Sequence, residues 1–213
     1  MAETGTTSMH TEIELKLLLA PEQRQKLMQS AILCNHSFDT VDLDNTYFDT
    51  PDCTLHSLHA ALRIRSINGQ YVQTLKSRGV SQCGLSHRQE WEWPLAHPVL
   101  DLTVLHCPEI RLRDSVDFAA LQPCFRTDFQ RTQTVIAWSG ATIELAIDYG
   151  EVKAGEQSEV ISELELELKS GPEKALATLA KTLAATVPLT PFDTSKAQRG
   201  YALLGCCAGT ARI

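Results

Sequence analysis

Six segments of this chain carry charged or polar groups at even spacing, two or four residues apart. They are Glu12-x-Glu14-x-Lys16, Arg63-x-Arg65, Thr74-x-Lys76, Arg88-x-Glu90-x-Glu92, Glu144-x-x-x-Asp148 and Glu163-x-Glu165-x-Glu167-x-Lys169. Both signs of charge occur, and the intervening positions are apolar or neutral. So many carboxylates on one surface repel each other, and a carboxylate buried without a partner neutralises by taking up a proton. Hard divalent cations resolve the conflict: Mg²⁺ or Mn²⁺ takes one or two carboxylates and completes its shell with water and phosphate oxygens. No His or Cys set accompanies the acids, which favours these ions over zinc. The candidate bases are Lys16, Arg63, Arg65, Lys76, Arg88, Arg131, Lys196 and Arg199. Arg grips phosphate oxygens bidentately and Lys acts as a point charge. Acids for metal and bases for phosphate, brought together, make a site for phosphoryl transfer or hydrolysis, chemistry that rests on positioning and charge neutralisation.

A period of two belongs to β-strands, whose successive side chains point to opposite faces. In a helix the charges of Glu163–Lys169 would scatter around the circumference. Strands are expected over 11–19, 41–49, 60–67, 70–77, 87–95, 124–138, 141–149 and 159–169. Asn68-Gly69 and Ser139-Gly140 turn two hairpins. Pro94 is expected to stop one strand, and residues 78–86 to form a mobile loop. Helices are expected over 21–34, opened by Pro21, over 172–186, and from Thr194 to Leu204, with two short ones within 99–122. Ile13, Leu15, Ile64, Leu75, Leu164, Leu166 and Leu168 then face outward, where helices must cover them. The expected fold is α+β: an eight-stranded antiparallel closed barrel with helices packed outside. Eight strands leave room inside for side chains or one small ligand.

At 213 residues the chain is one large domain with small appendages: a flexible leader over 1–10, a tunnel domain over 11–204 and a tail over 205–213. A net charge of −7 argues against a nucleic-acid partner, which needs excess Lys and Arg. No apolar run reaches the roughly 20 residues of a membrane span, and the polar N-terminus lacks the pattern of a secretory signal. A cytoplasmic setting with no membrane partner is therefore expected. The seven cysteines show no Cys-x-x-Cys, so reduced thiols are expected. His56 and His59 lack the further ligands of a zinc set.

The ordered set of motifs resembles the CYTH superfamily, the triphosphate tunnel metalloenzymes. It begins with Glu12-x-Glu14-x-Lys16 and continues through Tyr47-Phe48-Asp49-Thr50, Ala61-Leu62-Arg63-Ile64-Arg65, Thr74-Leu75-Lys76 and Arg88-x-Glu90-x-Glu92. Asp148, Glu163–Lys169 and Ser195-Lys196-x-x-Arg199-Gly200-Tyr201 complete it. The bacterial inorganic triphosphatase type is the nearest in appearance. The resemblance implies an eight-stranded tunnel that binds a linear triphosphate along its axis and hydrolyses it to pyrophosphate and phosphate with Mg²⁺ or Mn²⁺. It implies that Lys16, Arg63, Arg65, Lys76, Arg131 and Lys196 bind the triphosphate, Arg126 being the alternative to Arg131. Glu12, Glu14, Asp148, Glu163 and Glu165 would hold the metal, and Glu12, Glu14, Lys16, Glu163 and Glu165 would carry the catalysis. A helical CHAD-type domain is expected in a longer parent chain. The rival activities are thiamine triphosphatase, adenylate cyclase and RNA triphosphatase, with a non-catalytic polyphosphate or nucleotide binder as the alternative of another class. An organic substrate needs an aromatic platform, and the parity of Trp91 and Trp93 turns both rings outward.

Overall fold

The structure is a computed structural model that describes residues 8–106, 112 and 115–206. In chain order the strands are β1 (Ser8–Leu18), β2 (Asp39–Asp49), β3 (Ala61–Ile67), β4 (Gln70–Lys76), β5 (Val80–Gln82), β6 (Leu85–Leu95), β7 (Gln122–Trp138), β8 (Ala141–Ala154), β9 (Gln157–Ser170) and β10 (Thr190–Pro191). The helices are α1 (Arg24–Met28), α2 (Thr54–Ser57), α3 (Lys174–Ala184) and α4 (Lys196–Leu203).

All pairings are antiparallel. The order runs β1-β9-β8-β7-β2-β3-β4-β6, and β6 pairs back to β1 with Glu12 opposite Arg88 and His10 opposite Glu90. That last ladder closes eight strands into a barrel, while β5 and β10 are short additions on β6 and β1. Closure leaves no free edge among the eight. The expected alternation holds. Leu15, Leu164 and Leu166 face outward into a core completed by Ile143, Leu145 and the Leu176, Leu179 and Leu183 stripe of α3. Leu62, Leu75, Trp91 and Trp93 form a second outer core under Leu55 of α2, Leu105 and Phe118. Both tryptophans therefore lie outside the barrel, as their parity requires.

α4 covers one end of the barrel. Ser195 caps it: its hydroxyl accepts from the Gln198 N–H, and the Gln198 side chain accepts from the Ser195 N–H. Gly200 of α4 lies so close to the Phe125 ring that a Cβ there would overlap it. Tyr201, fully buried, packs edge-on against Phe125 and donates its hydroxyl to Asp49 at 2.8 Å. Asp49 also accepts from the backbone N–H groups of Thr50, Leu55 and His56, so one buried carboxylate ties α2 and α4 to the end of β2.

Several boundaries differ from expectation. β1 begins at Ser8, because Ser8–His10 pair with Glu90–Glu92. The helix expected over 21–34 shrinks to a 3-10 turn at Pro21–Gln23 and the five residues of α1, and Leu27 and Leu33 reach the core. β6 continues through Pro94, which sits opposite Val72 near the end of its ladder, where a missing N–H is tolerated. The loop expected at 78–86 contains β5 and a tight turn in which Cys83 and Gly84 both take positive φ. The two short helices expected within 99–122 are 3-10 turns, Val104–His106 and Phe118–Ala120. Cys53 and Cys206 form a disulfide, correcting the expectation of reduced thiols for that pair. Cys34, Cys83 and Cys124 are free.

Candidate active site: a charged tunnel

The barrel interior is a cavity of about 250 Å³ lined by seven carboxylates and eight Lys or Arg cations. The lining contains Glu12, Glu14, Lys16, Arg63, Arg65, Lys76, Arg131, Glu165 and Lys196, all predicted from the motifs. Arg88, Glu90, Glu92, Glu144 and Glu167 join them. Asp148 and Glu163 lie one layer deeper, with no exposed surface, behind Lys196 and Arg131. A near-balanced lining matters. It gives a polyvalent anion no large net attraction, so such an anion binds well only with cations of its own.

The charges are not evenly mixed. On the side of β8, β9 and α4, Arg131 donates to both oxygens of Asp148 at 2.8 and 2.7 Å and also to Glu165. The Lys196 ammonium lies 2.7 Å from Asp148 and 2.8 Å from Glu165, and also bonds Glu163. Arg199, expected among the phosphate-binding bases, instead sits behind this wall, paired with Glu159 at 2.7 Å and Glu163 at 3.3 Å. Burial opposes charge on Lys196, but Asp148, Glu163 and Glu165 hold its pKa well above the ordinary value. Burial also opposes charge on Glu165, yet Lys196, Arg131 and Lys16 pull its pKa well below.

Glu14 is the exception. Burial pushes its carboxyl up, the Glu165 and Glu12 carboxylates add to that, and Lys16 at 3.6 Å offsets only part; the pKa reaches about 7. Glu12 experiences the same burial, but Lys76 at 2.7 Å and Arg88 bring it to about 2. The floor between β1 and β9 therefore lacks positive charge at Glu14. Across the barrel, β3 has the opposite imbalance. Burial and repulsion from Arg63 and Arg131 lower Arg65 to about 10. The Nε groups of Arg63 and Arg88 are buried without hydrogen-bond partners. The imbalance is local, since Arg63 still lies 3.8 Å from Glu90 and Arg88 3.6 Å from Glu12.

The three oxygens offered by Asp148, Glu163 and Glu165 lie within 4.8 Å of one another. The oxygen-only donor set fits a hard divalent ion.

The structure answers several open sequence choices. Arg131 faces the tunnel, whereas Arg126 lies on the outer face, half exposed and paired with Asp44. Arg88 approaches Glu12 at 3.6 Å, and Glu92 accepts from Thr74. Lys169 and His10 line the tunnel although sequence reasoning did not choose them as site residues. The period of two that marks Glu163, Glu165 and Glu167 points to Lys169 as well. His10 was assigned to the leader, which concealed its parity with Glu12.

An antiparallel barrel closed on eight strands, with an ionic lumen and apolar outer faces, defines a tunnel-type ligand-binding or catalytic β-barrel. The CYTH domain model matches residues 10–201, and the chain belongs to the CYTH family. An inorganic triphosphatase of Haemophilus influenzae (strain ATCC 51907 / DSM 11121 / KW20 / Rd) is 36% identical over 199 residues, covering 92% of this chain and 55% of that protein. The chain thus spans about half the length of the curated relatives it matches. Among solved structures, a Hippeastrum protein described as an adenylyl cyclase with a dominant triphosphatase activity superposes with a TM-score of 0.64 at 27% identity, covering 90% of this chain and 95% of that one. A protein of Pyrococcus horikoshii OT3 shares the fold, with a TM-score of 0.58 at 20% identity over 91% of this chain and 98% of that one.

Proposed function

We propose that this protein hydrolyses inorganic triphosphate to pyrophosphate and phosphate inside the tunnel, using Mg²⁺ or Mn²⁺. The observation that carries the proposal is a lumen in which Glu14 on β1 is short of positive charge while Arg63 on β3 and Arg88 on β6 each keep a buried Nε without a hydrogen-bond acceptor. A triphosphate accompanied by divalent metal fills both. Its similarity to the Haemophilus influenzae inorganic triphosphatase supports the same reading.

In this reading Lys16, Arg63, Arg65, Lys76, Arg131 and Lys196 bind the phosphate chain. Arg63 and Arg65 reach it from one strand, and the unpaired Nε of Arg63 gives it a ready donor. Glu12, Glu14, Asp148, Glu163 and Glu165 would hold the metal, which when bound withdraws charge from phosphate oxygens and activates water. Lys196 holds the deeper carboxylates in register from α4. The proposal retains a cytoplasmic setting, a small-molecule partner rather than nucleic acid or membrane, and a helical CHAD-type domain in a longer parent.

The test is phosphate release from inorganic triphosphate, ATP and thiamine triphosphate in parallel, with Mg²⁺, Mn²⁺ or chelator. Preference for inorganic triphosphate, lost with chelator, is expected. Tight triphosphate binding without release from any of the three would replace the hydrolase with a binder.

A further inference from the structure

Of the six cations that bind the phosphate chain in this reading, five already face a carboxylate. Lys16 lies 3.6 Å from Glu14, Arg63 3.8 Å from Glu90 and Lys76 2.7 Å from Glu12. Arg131 holds Asp148 and Glu165, and Lys196 holds these two and Glu163. Arg65 is the sixth. Among the described residues no carboxylate lies within 4.0 Å of it; its Nε donates instead to the side-chain oxygen of Asn45 at 3.0 Å.

Asn45 is held from its other side. It stands opposite Arg65 on the β2–β3 ladder and opposite Thr127 on the β2–β7 ladder. It has no exposed surface, and its amide nitrogen donates to the Thr127 hydroxyl at 3.1 Å and to the Thr127 carbonyl at 3.3 Å. With the nitrogen engaged on β7, the oxygen is the end of the amide that faces Arg65.

An amide orients a guanidinium without cancelling its charge, and an acceptor on Nε leaves the terminal nitrogens of the fork for a phosphate. Burial and the Arg63 and Arg131 guanidiniums oppose charge on Arg65, and Glu92 offsets little of this. A phosphate oxygen therefore gains more from Arg65 than from a cation that must first release a carboxylate.

We propose that Asn45 is a positioning residue for triphosphate binding: it aims the Arg65 guanidinium into the tunnel while leaving its positive charge to the substrate. The inference rests on the triphosphatase reading and deepens it, adding a determinant of phosphate affinity on β2.

The experiment is a double-mutant cycle read by calorimetric Kd for inorganic triphosphate with Mg²⁺ in a Glu12→Gln background, beside KM and kcat of the same substitutions in otherwise native protein. Asn45→Leu should raise Kd and KM about five- to twentyfold and add nothing once Arg65→Ala is present. Asn45→Asp, which keeps an oxygen for Arg65 but cancels its charge, should bind no better than Asn45→Leu at pH 8. Thr127→Val removes one anchor of the amide and leaves Asn45 in place. It should give a smaller rise that also vanishes with Arg65→Ala, and it carries the test if the Asn45 variants do not fold. An unchanged Kd in Asn45→Leu, or in Thr127→Val where the former does not fold, overturns the proposal. So does a rise that persists in Arg65→Ala, which marks general packing, or parental affinity in Asn45→Asp. If Kd shifts as expected but wild-type protein releases no phosphate, the positioning role stands and the hydrolase reading falls.

Discussion

At the scale of single residues, two carboxylates on β1 have been driven apart by their neighbours. Glu12 has Lys76 and stays ionised; Glu14 lacks an equal partner and sits near 7. This has a pH consequence with a definite sign. A carboxyl whose folded pKa is raised from 4.5 to about 7 contributes stability that is present below 4.5 and lost as pH rises through 7. In chelator, the melting temperature of Glu14→Gln relative to wild type should therefore rise between pH 5 and pH 8. The change is about 2 kcal/mol, or several degrees, in thermal melts. Adding Mg²⁺ should then stabilise wild type more than the variant. Glu12→Gln and Glu165→Gln make a second test: each should lower kcat by at least about a hundredfold in phosphate-release assays while triphosphate still binds in calorimetry. Intact turnover in either would remove that residue from the metal set. Lys196 differs because it neutralises three carboxylates. Lys196→Met removes the cation all three share and leaves only Arg131 and Arg199 to hold them, and should cost roughly 3–5 kcal/mol in metal-free denaturation.

At the scale of elements, the strands were legible because one physical requirement, charge inside and leucine outside, repeats along them with period two. Glu163–Lys169 shows it without help from any other segment: on β9, Glu165 and Glu167 line the lumen with Glu163 buried behind it, and Leu164 and Leu166 lie in the outer core. What the sequence concealed are the long-range partners. Asp49 reads as an ordinary turn acid before Pro51, yet its role is set by Tyr201, 152 residues away. Arg199 reads as one more phosphate-binding base, but its neighbours Glu159 and Glu163 draw it behind the wall. α1 fell short because apolar residues on one face suggest a helix without fixing where it ends. The element most open to a sharp test is α4. Gly200→Ala places a methyl group into the Phe125 ring and should push α4 off the barrel end. Overpacking of this kind costs about 1–3 kcal/mol. Because Lys196 rides on the same helix, triphosphate affinity should fall with stability, as calorimetry on the folded variant would show.

At the scale of the whole molecule, the barrel buries more charge than folding alone would favour, and its ligand is expected to supply the balance. Triphosphate with Mg²⁺, added to the Glu165→Gln protein at 100 times its Kd, should raise folding stability by about 2.7 kcal/mol. Neither component alone should match that in a thermal shift assay. The outer cores carry the opposite dependence: Leu166→Ala, on the face packed by α3, should cost about 2–5 kcal/mol whether or not ligand is present.

The ladder that closes the barrel also dictates an order of assembly. β1 is made first, and it can pair with β6 once residues 85–92 exist, but its other ladder waits for Glu163–Glu167. At roughly 5–20 residues per second, a ribosome leaves that side of β1 open for on the order of ten seconds or more. A naked strand edge invites pairing with another nascent chain. Here the waiting strand carries Glu12, Glu14 and Lys16. Charge at those positions disfavours edge-to-edge pairing and so keeps a half-built sheet in water until its last wall arrives.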